Sequence, residues 1–307
     1  MQLLENPSPL QLDDILLLAQ FPPWEDMAVP YALGLAREHG ARMQVVHALP
    51  THASQKLTQV LQGGAFRRSW RELVFDAGAS RAIIDPATEL RPGDMRDQRN
   101  FDLAVVSYGG RPRASREAVG RELEQMFRTT DCPVIVLGPA VHRDWAPRTE
   151  PATILHATDF SPHALAAAQH AFAWAQQYQS WITLLHVIEG IGAWTEHERA
   201  RLEKPFRQWL GELVPEEAPS WCEVEHRVEL GNPTARIVGT AEQLHADLIV
   251  IGLAGMDTVA PDRPGATAMR VISAAPCPVL VVRDYMETAA KQPVADGRRQ
   301  DANLMAA

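Results

Sequence analysis

Short apolar runs alternate along the chain with longer stretches in which apolar residues recur every three or four positions. The runs at 15–18, 103–106 and 248–251 consist of Leu, Ile, Val and Ala, a composition typical of strands buried on both faces of a sheet. Helical patterns lie between such runs, for example from Leu165 to Ala175. This alternation predicts an α/β fold in which a parallel sheet is covered by helices.

The same pattern occurs twice in the chain. Residues 102–107 and 131–136 both match segments that lie 145 positions later, without a gap, and the first match begins with an aspartate before the apolar run. The run that begins at Ile15 matches the run that begins at Ile154, 139 positions later. Because two separate segments share one spacing, the chain is predicted to be a tandem repeat.

The spacing between matching positions changes along the chain, which indicates insertions in loops. Gly78 matches Gly231 at a spacing of 153, so we expect an insertion of about eight residues after Ile84 in the first half.

The repeat predicts two domains of similar fold, each an open parallel sheet of five strands with helices in the connections. We expect the first domain at 1–143 and the second at 152–285, joined by a linker at 144–151 that is rich in proline and charge. Residues 286–307 have no apolar periodicity and are predicted to be a disordered tail.

Helix starts are marked most clearly in the second half. Ser161–Pro162 and Asn232–Pro233 each place a capping side chain before a proline at the first helical position. Thr195 and Glu198 have the spacing of a capping box. We therefore expect helices to begin at these three places.

Composition narrows the classes of function. The chain has 29 Lys and Arg against 38 Asp and Glu, a net charge of −9, and no basic cluster, so we expect no nucleic-acid partner. No apolar stretch is long enough for a membrane span, and the first residues show no secretory signal pattern, so we expect a cytoplasmic protein without a membrane partner. Cys132, Cys222 and Cys277 form no CxxC pair, and Cys132 and Cys277 are expected to be small buried side chains.

A candidate ligand site lies at the strand ends of the second half. Thr158 and Asp159 follow one strand, and Gly252, Gly255 and Gly265 form the pattern G-x2-G-x9-G after another. Ligands of open parallel sheets bind beyond the carboxyl ends of the strands. Glycines allow a phosphate to approach the backbone, the N–H groups of the next helix favour an anion, and the aspartate can accept hydrogen bonds from ribose or adenine.

The motifs of the chain resemble those of the universal stress protein family. The resemblance rests on this glycine pattern, on Cys-Pro-Val before each last strand, on Leu-Leu-His-Val-Ile at 184–188 and on Gly-Asn-Pro at 231–233, and it extends from Ile15 to Arg283. It implies a Rossmann-like fold of the adenine nucleotide alpha hydrolase-like type. It also implies a tandem-type member that binds ATP, acts in stress response, and has two fused domains that pair as an intramolecular pseudo-dimer.

The resemblance also supplies the candidate contacts of the nucleotide. These are Thr158, Asp159, Val187, Gly252, Gly255, Gly265, Ala266 and Thr267. Ala266 departs from the family motif, which has Ser or Thr there. The loop 256–264 carries two aspartates, which repel a triphosphate unless a divalent ion such as Mg²⁺ intervenes. No catalytic residue or protein metal ligand is assigned.

The first half keeps the spacing of this motif but not its chemistry. Gln20 replaces the aspartate, and Ser107, Gly110 and Gly120 stand at the three glycine positions. We therefore expect the first site to be degenerate.

Two other functions of the whole chain stay open. The chain could be a nucleotide-free dimeric interaction protein, or it could bind another small ligand with both sites degenerate. An enzyme is not expected, beyond weak ATP hydrolysis, because no pair of nucleophile and general base is evident.

Other roles are open for some of the residues named above. Asp159 could cap the following helix instead of binding a ligand. His47 and His186 are expected to be packed or hydrogen-bonded, and the tandem chain is expected to form a homodimer.

Overall fold

A computed structural model of the chain describes residues 6–19, 27–47, 80–81, 101–107, 123, 127, 132–141, 148–190, 195–253 and 265–283. The strands in these residues are β1 (Asp14–Ala19), β2 (Arg42–His47), β3 (Ser80–Arg81), β4 (Leu103–Ser107), β5 (Val134–Leu137), β6 (Thr153–Ala157), β7 (Trp181–Ile188), β8 (Val224–Leu230), β9 (Leu248–Gly252) and β10 (Val279–Val282). The α-helices with described bounds are α1 (Ala28–His39), α2 (Pro162–Tyr178), α3 (Glu196–Glu212), α4 (Pro233–Leu244) and α5 (Ala266–Ala274).

All the described strands belong to one sheet in the order β3-β2-β1-β4-β5-β10-β9-β6-β7-β8. Neighbouring strands are parallel within each half, and β5 and β10 join the halves by antiparallel pairing. Helices α1, α2 and α3 pack on one face, while α4 and α5 pack on the other. The predicted α/β fold with parallel strands is therefore confirmed.

The two halves have the same strand order and nearly the same register. Ile15 of β1 lies opposite Met43 of β2, and Ile154 of β6 lies opposite Ile182 of β7, so both matching positions are 139 residues apart. The apolar residues of the runs alternate between the two helical layers, which explains why these segments are apolar without interruption.

The third strand of the first half corrects one detail of the predicted repeat. Ser80 lies opposite Gln44, and the matching pair in the second half is Glu225 opposite Thr183. Matching positions in the third strands are thus 145 residues apart, and the spacing of 153 taken from two glycines is wrong for these strands. A glycine can mark a turn at either end of a strand, whereas the hydrogen bonds between neighbouring strands define the register of every residue. The predicted insertion after Ile84 falls outside the described residues.

The aspartate before each fourth strand has a structural task. A carboxylate oxygen of Asp102 accepts hydrogen bonds from the backbone N–H groups of residues 13 and 14, at 2.8 and 2.9 Å. Asp247 accepts the equivalent pair from residues 152 and 153, at 3.0 and 3.1 Å. Each aspartate therefore ties the start of one strand to that of its neighbour, and both halves use the same contact.

The junction between the halves is built from matching positions. Leu280 lies opposite Ile135 at the centre of the antiparallel pairing, and both side chains are fully buried. Nε2 of His39, at the end of α1, lies 2.6 Å from the hydroxyl oxygen of Tyr178 at the end of α2. Each of these pairs joins positions that match in the predicted repeat.

Two further contacts across the junction correspond to one another. The guanidinium of Arg283 donates a hydrogen bond to the carbonyl of Phe127. At the matching positions, Gly138 lies so close to the carbonyl oxygen of Ile272 that a side chain at residue 138 would collide with it. The carbonyls of Phe127 and Ile272 stand at matching positions, and the first is contacted by an arginine whereas the second is contacted by a glycine.

The helix starts of the second half follow the predicted caps. The hydroxyl of Ser161 accepts a hydrogen bond from a backbone N–H in the first turn of α2, and the side chain of Asn232 does the same for α4. Thr195 and Glu198 form both hydrogen bonds of a capping box at the start of α3. These predictions are confirmed.

Candidate functional site

A cleft of about 180 Å³ opens at the carboxyl ends of β6, β7 and β9, with the first turns of α4 and α5 at its side. The chain runs from β6 to one side of the sheet and returns through β9 on the other, so the cleft lies where the strand order reverses. This is the expected place for a ligand in an open parallel sheet.

The structure brings most of the predicted contacts together at this cleft. The predicted contacts that line the cleft are Thr158, Asp159, Val187, Gly252 and Thr267. Gly265 and Ala266 lie beside it, as the N-cap and first residue of α5. Gly255 and the loop 256–264 fall outside the described residues. In the first half Ser107 is buried at the end of β4, and Gln20, Gly110 and Gly120 also lie outside the described part of the chain.

Thr158 is held by three hydrogen bonds. Its backbone N–H donates to the carbonyl of Leu185 at 2.9 Å, and its hydroxyl accepts from the N–H of Phe160 at 3.0 Å. Its carbonyl oxygen lies 2.8 Å from Nδ1 of His186. Strand β7 therefore fixes the backbone at the point where β6 ends and the cleft begins.

Asp159 is exposed at the mouth of the cleft. Its Oδ1 accepts a hydrogen bond from the N–H of Ser161 at 3.0 Å, and no donor from the described residues is bonded to Oδ2. The N-cap of α2 is Ser161, and Asp159 contributes to the start of the helix only through the N–H of that residue. Within the described part of the chain, one carboxylate oxygen of Asp159 is therefore left for a ligand.

Gly252 is required by the packing of the strand against a helix. A Cβ at this position would lie 2.5 Å from the carbonyl carbon and oxygen of His163 and 2.6 Å from the nitrogen of Ala164. The end of β9 thus approaches the first turn of α2 too closely for a side chain. A sequence match alone could not separate this reason from the approach of a phosphate.

The N-terminus of α5 faces the cleft with no side-chain cap. Gly265 has a φ of +81°, in the left-handed region, and among the described residues no side chain accepts from the first turn. The N–H groups of the first turn have no partner within the helix, and Thr267 and Ala268 of that turn line the cleft. The positive end of the helix dipole and these donors favour an anion there.

The described lining of the cleft carries two carboxylates and no lysine or arginine. One is Asp159, and the other is Glu189, which was not among the predicted residues. Leu185 and Val187 lie on one face of β7, and Glu189 follows directly after the strand, so continuing the alternation by two residues from Val187 would have found it. The rest of the described wall is mainly apolar, with Pro233 and Ile237 of α4 on one side.

An aromatic cluster lies behind the cleft, on the opposite face of the sheet. The ring of His186 stacks on Phe206 with centroids 4.4 Å apart and contacts Phe160 at 4.8 Å. Trp209 of α3 contacts both phenylalanines and is 41% exposed. His186 is packed and hydrogen-bonded as predicted, and burial lowers its pKa. The side chain of His47 lies outside the described residues.

The cysteines behave as small buried side chains. Cys132 and Cys277 are almost completely buried, and burial raises the pKa of Cys277 to about 12. The pKa of Cys222 is raised to about 11 for the same reason. Among the described residues, no three His, Cys, Asp or Glu side chains are grouped so that they could hold a metal ion.

No helix within the described ranges is long and apolar enough to cross a bilayer.

Several known proteins similar to this chain are universal stress proteins. The model of the universal stress protein family matches residues 152–283. A universal stress protein of Thermus aquaticus is 35% identical over 140 residues, which are 43% of this chain and 98% of that protein. A universal stress protein of Methanocaldococcus jannaschii is 35% identical over 133 residues, 41% of this chain and 78% of that protein.

The fold is also found in a solved structure. The crystal structure of a universal stress protein from Archaeoglobus fulgidus matches 89% of this chain and 97% of its own, with a TM-score of 0.61 and 18% identity. At that identity the likeness shows the fold alone. Because the Thermus aquaticus relative is matched over nearly its whole length, the chain belongs to the universal stress protein family.

Proposed function

We propose that this chain is a stress-response binding module that takes an adenine nucleotide, ATP, in the cleft of its second half. The observation that carries the proposal is the uncapped N-terminus of α5, which faces a cleft at the reversal point of the sheet. The family membership of residues 152–283 supports it.

The chemistry of the cleft suits the three parts of a nucleotide. The first turn of α5, with Ala266 and Thr267, would receive the phosphates, and Gly265 and Gly255 would let them approach the backbone. Asp159 would accept hydrogen bonds from ribose hydroxyls through its free Oδ2. The apolar side chains of Val187 and Ile237 would contact the base.

ATP would bind as its Mg²⁺ complex. Asp159 and Glu189 both lie at the cleft, and carboxylates repel a triphosphate unless its charge is reduced. The ion carried by the triphosphate does this. The chain would act through binding, with at most slow hydrolysis, because the described lining offers no paired nucleophile and general base.

We further propose that the first half is a second universal stress protein domain whose site is degenerate. In this proposal the domains are 1–143 and 152–285, with a linker at 144–151 and a disordered tail at 286–307. The shared strand order and the repeated aspartate contacts support it. The pairing of β5 with β10 would then be an intramolecular pseudo-dimer. Further association into a homodimer remains a prediction, which light scattering tests against the chain mass of 33.9 kDa.

Nucleotide content is the first test of the binding proposal. The freshly purified protein is denatured, and released nucleotide is identified by ion-exchange chromatography. The nucleotide-free protein is then titrated with Mg-ATP in a calorimeter. Near one equivalent of released ATP, or one titrated site per chain, would support the proposal.

A matched pair of variants locates that site. Asp159→Asn should weaken Mg-ATP binding by about tenfold or more, because it removes the charge from a carboxylate that accepts hydrogen bonds. Glu242→Gln makes the same change at an exposed position near the C-terminal end of α4 and should bind like the wild type. Equal affinities for all three proteins would remove Asp159 from the site.

The second candidate is a nucleotide-free interaction protein. It is favoured by the acidic lining of the cleft and by Ala266 in place of the hydroxyl residue of the family motif. If the protein released no nucleotide and gave no binding heat with Mg-ATP, this result would support the interaction-protein candidate and overturn the nucleotide proposal.

A further inference from the structure

We infer that His186 is a positioning residue of the nucleotide site, because its Nδ1–H holds the carbonyl of Thr158 and thereby the turn that presents Asp159. This inference rests on the proposed function of the same cleft. His186 itself is not part of the cleft wall.

The direction of the hydrogen bond follows from the chemistry of the two atoms. Nδ1 of His186 lies 2.8 Å from the carbonyl oxygen of Thr158, and a carbonyl oxygen can only accept. The proton must therefore be on Nδ1. Burial lowers the pKa of the ring, so the neutral imidazole with its proton on Nδ1 is the donor near neutral pH.

The ring cannot turn away easily from this carbonyl. Phe206 of α3 stacks on it with an interplanar angle of 20°, and Phe160 contacts it at an interplanar angle of 41°. Side chains alternate along β7, so Val187 points into the cleft while His186 lies on the opposite face. His186 therefore affects the site from the opposite face of the sheet, through its hydrogen bond to the backbone carbonyl of Thr158.

The turn that His186 holds needs an anchor. Phe160 has a φ of +61°, in the left-handed region that a residue with a side chain adopts at a cost. Asp159 lies between this strained residue and Thr158, so its carboxylate direction depends on both. Loss of the hydrogen bond to Thr158 would let the turn relax and would displace the group expected to bind ribose.

Two substitutions separate the donor from the ring. His186→Phe keeps the stacking but has no donor, whereas His186→Asn offers an amide N–H near the position of Nδ1 but loses the stacking. Calorimetry with Mg-ATP should show about three- to tenfold weaker binding for His186→Phe, as expected for one lost hydrogen bond. The affinity of His186→Asn should stay close to that of the wild type.

Amide hydrogen exchange provides a readout that needs no ligand. The N–H groups of Phe160 and Ser161 donate to the side chains of Thr158 and Asp159, so they report on the turn directly. They should exchange faster in His186→Phe than in the wild type and near the wild-type rate in His186→Asn.

The outcomes distinguish this inference from the proposed function. If the wild type binds no Mg-ATP, the proposed function fails, and the exchange rates still decide whether His186 holds the turn. Wild-type exchange and affinity in His186→Phe would overturn the inference. Losses in His186→Asn as large as those in His186→Phe, or larger, would also overturn it, because a donor at this place would then not be what holds the turn.

Discussion

Replacement of Gly252 by alanine tests how closely β9 approaches α2. The added Cβ would lie 2.5 Å from the carbonyl carbon and oxygen of His163 and 2.6 Å from the nitrogen of Ala164. These are backbone atoms in the first turn of a helix, so they cannot move aside as a flexible side chain would. The helix would have to shift by about 1 Å to restore a normal separation of about 3.5 Å.

The cost of that shift can be estimated from the packing of α2. The helix buries Phe172 and Trp174 completely or almost completely against the sheet, so its movement disturbs a well-packed core. Overpacking of this kind costs about 1–3 kcal/mol. Gly252→Ala should lower the free energy of unfolding by that amount.

Gly239 offers a matched control within the same half. It lies inside α4, and a Cβ there would meet nothing within 4 Å. Gly239→Ala should stabilise the protein by about 0.5–1 kcal/mol, because alanine loses less backbone entropy in a helix than glycine. The two substitutions make the same chemical change and are expected to act in opposite directions.

Urea unfolding followed by far-ultraviolet circular dichroism measures both effects. The unfolding midpoint of Gly252→Ala should fall below that of the wild type, and that of Gly239→Ala should rise above it. A wild-type or higher midpoint for Gly252→Ala would refute the reasoning. In that case the glycine would be needed for a ligand alone.

Three further predictions concern the core and the junction. Burial lowers the pKa of His156 from 6.5 to about 4, so stability is complete above pH 6.5 and falls by about 3 kcal/mol as the pH drops through 4. Urea titrations at successive pH values should show a shallower fall for His156→Asn, and parallel curves would contradict this. Asp102→Asn and Asp247→Asn should each cost about 1–3 kcal/mol in thermal unfolding, since both lose the same charge-assisted contacts, and sensitivity of only one would argue against equivalent roles. In a double-mutant cycle with Ile135→Ala and Leu280→Ala, a coupling of about 0.5 kcal/mol or more is expected, and strict additivity would speak against their pairing.

Much of the fold could be predicted from the sequence because its signals are local. The caps at Ser161, Thr195 and Asn232 are satisfied within one helical turn, so neighbouring residues specify them completely. The register of the third strand in the first half could not be found this way. It depends on hydrogen bonds between residues 44–45 and 80–81, and one matching glycine does not specify them.

The candidate site was only partly predictable for a similar reason. Thr158, Asp159 and Gly252 follow apolar runs and could be found from strand ends alone. Glu189 was missed because it lies directly after the end of β7, where no motif marks it as part of the cleft. The role proposed for His186 depends on its contact with the carbonyl of Thr158, which is distant in the chain, and no sequence motif predicts that contact.

The sequence by itself determined the α/β class, and it predicted the repeat and the edge of the sheet at which a ligand would bind. These follow from apolar periodicity and from the position of polar residues after strands, which are properties of short segments. The tertiary structure alone decided the register in which β5 pairs with β10, the close contact of Gly252 with the backbone of α2, and the hydrogen bond between His186 and the carbonyl of Thr158. These contacts join residues distant in the chain, and their geometry is set by how the layers pack, which a linear pattern does not encode.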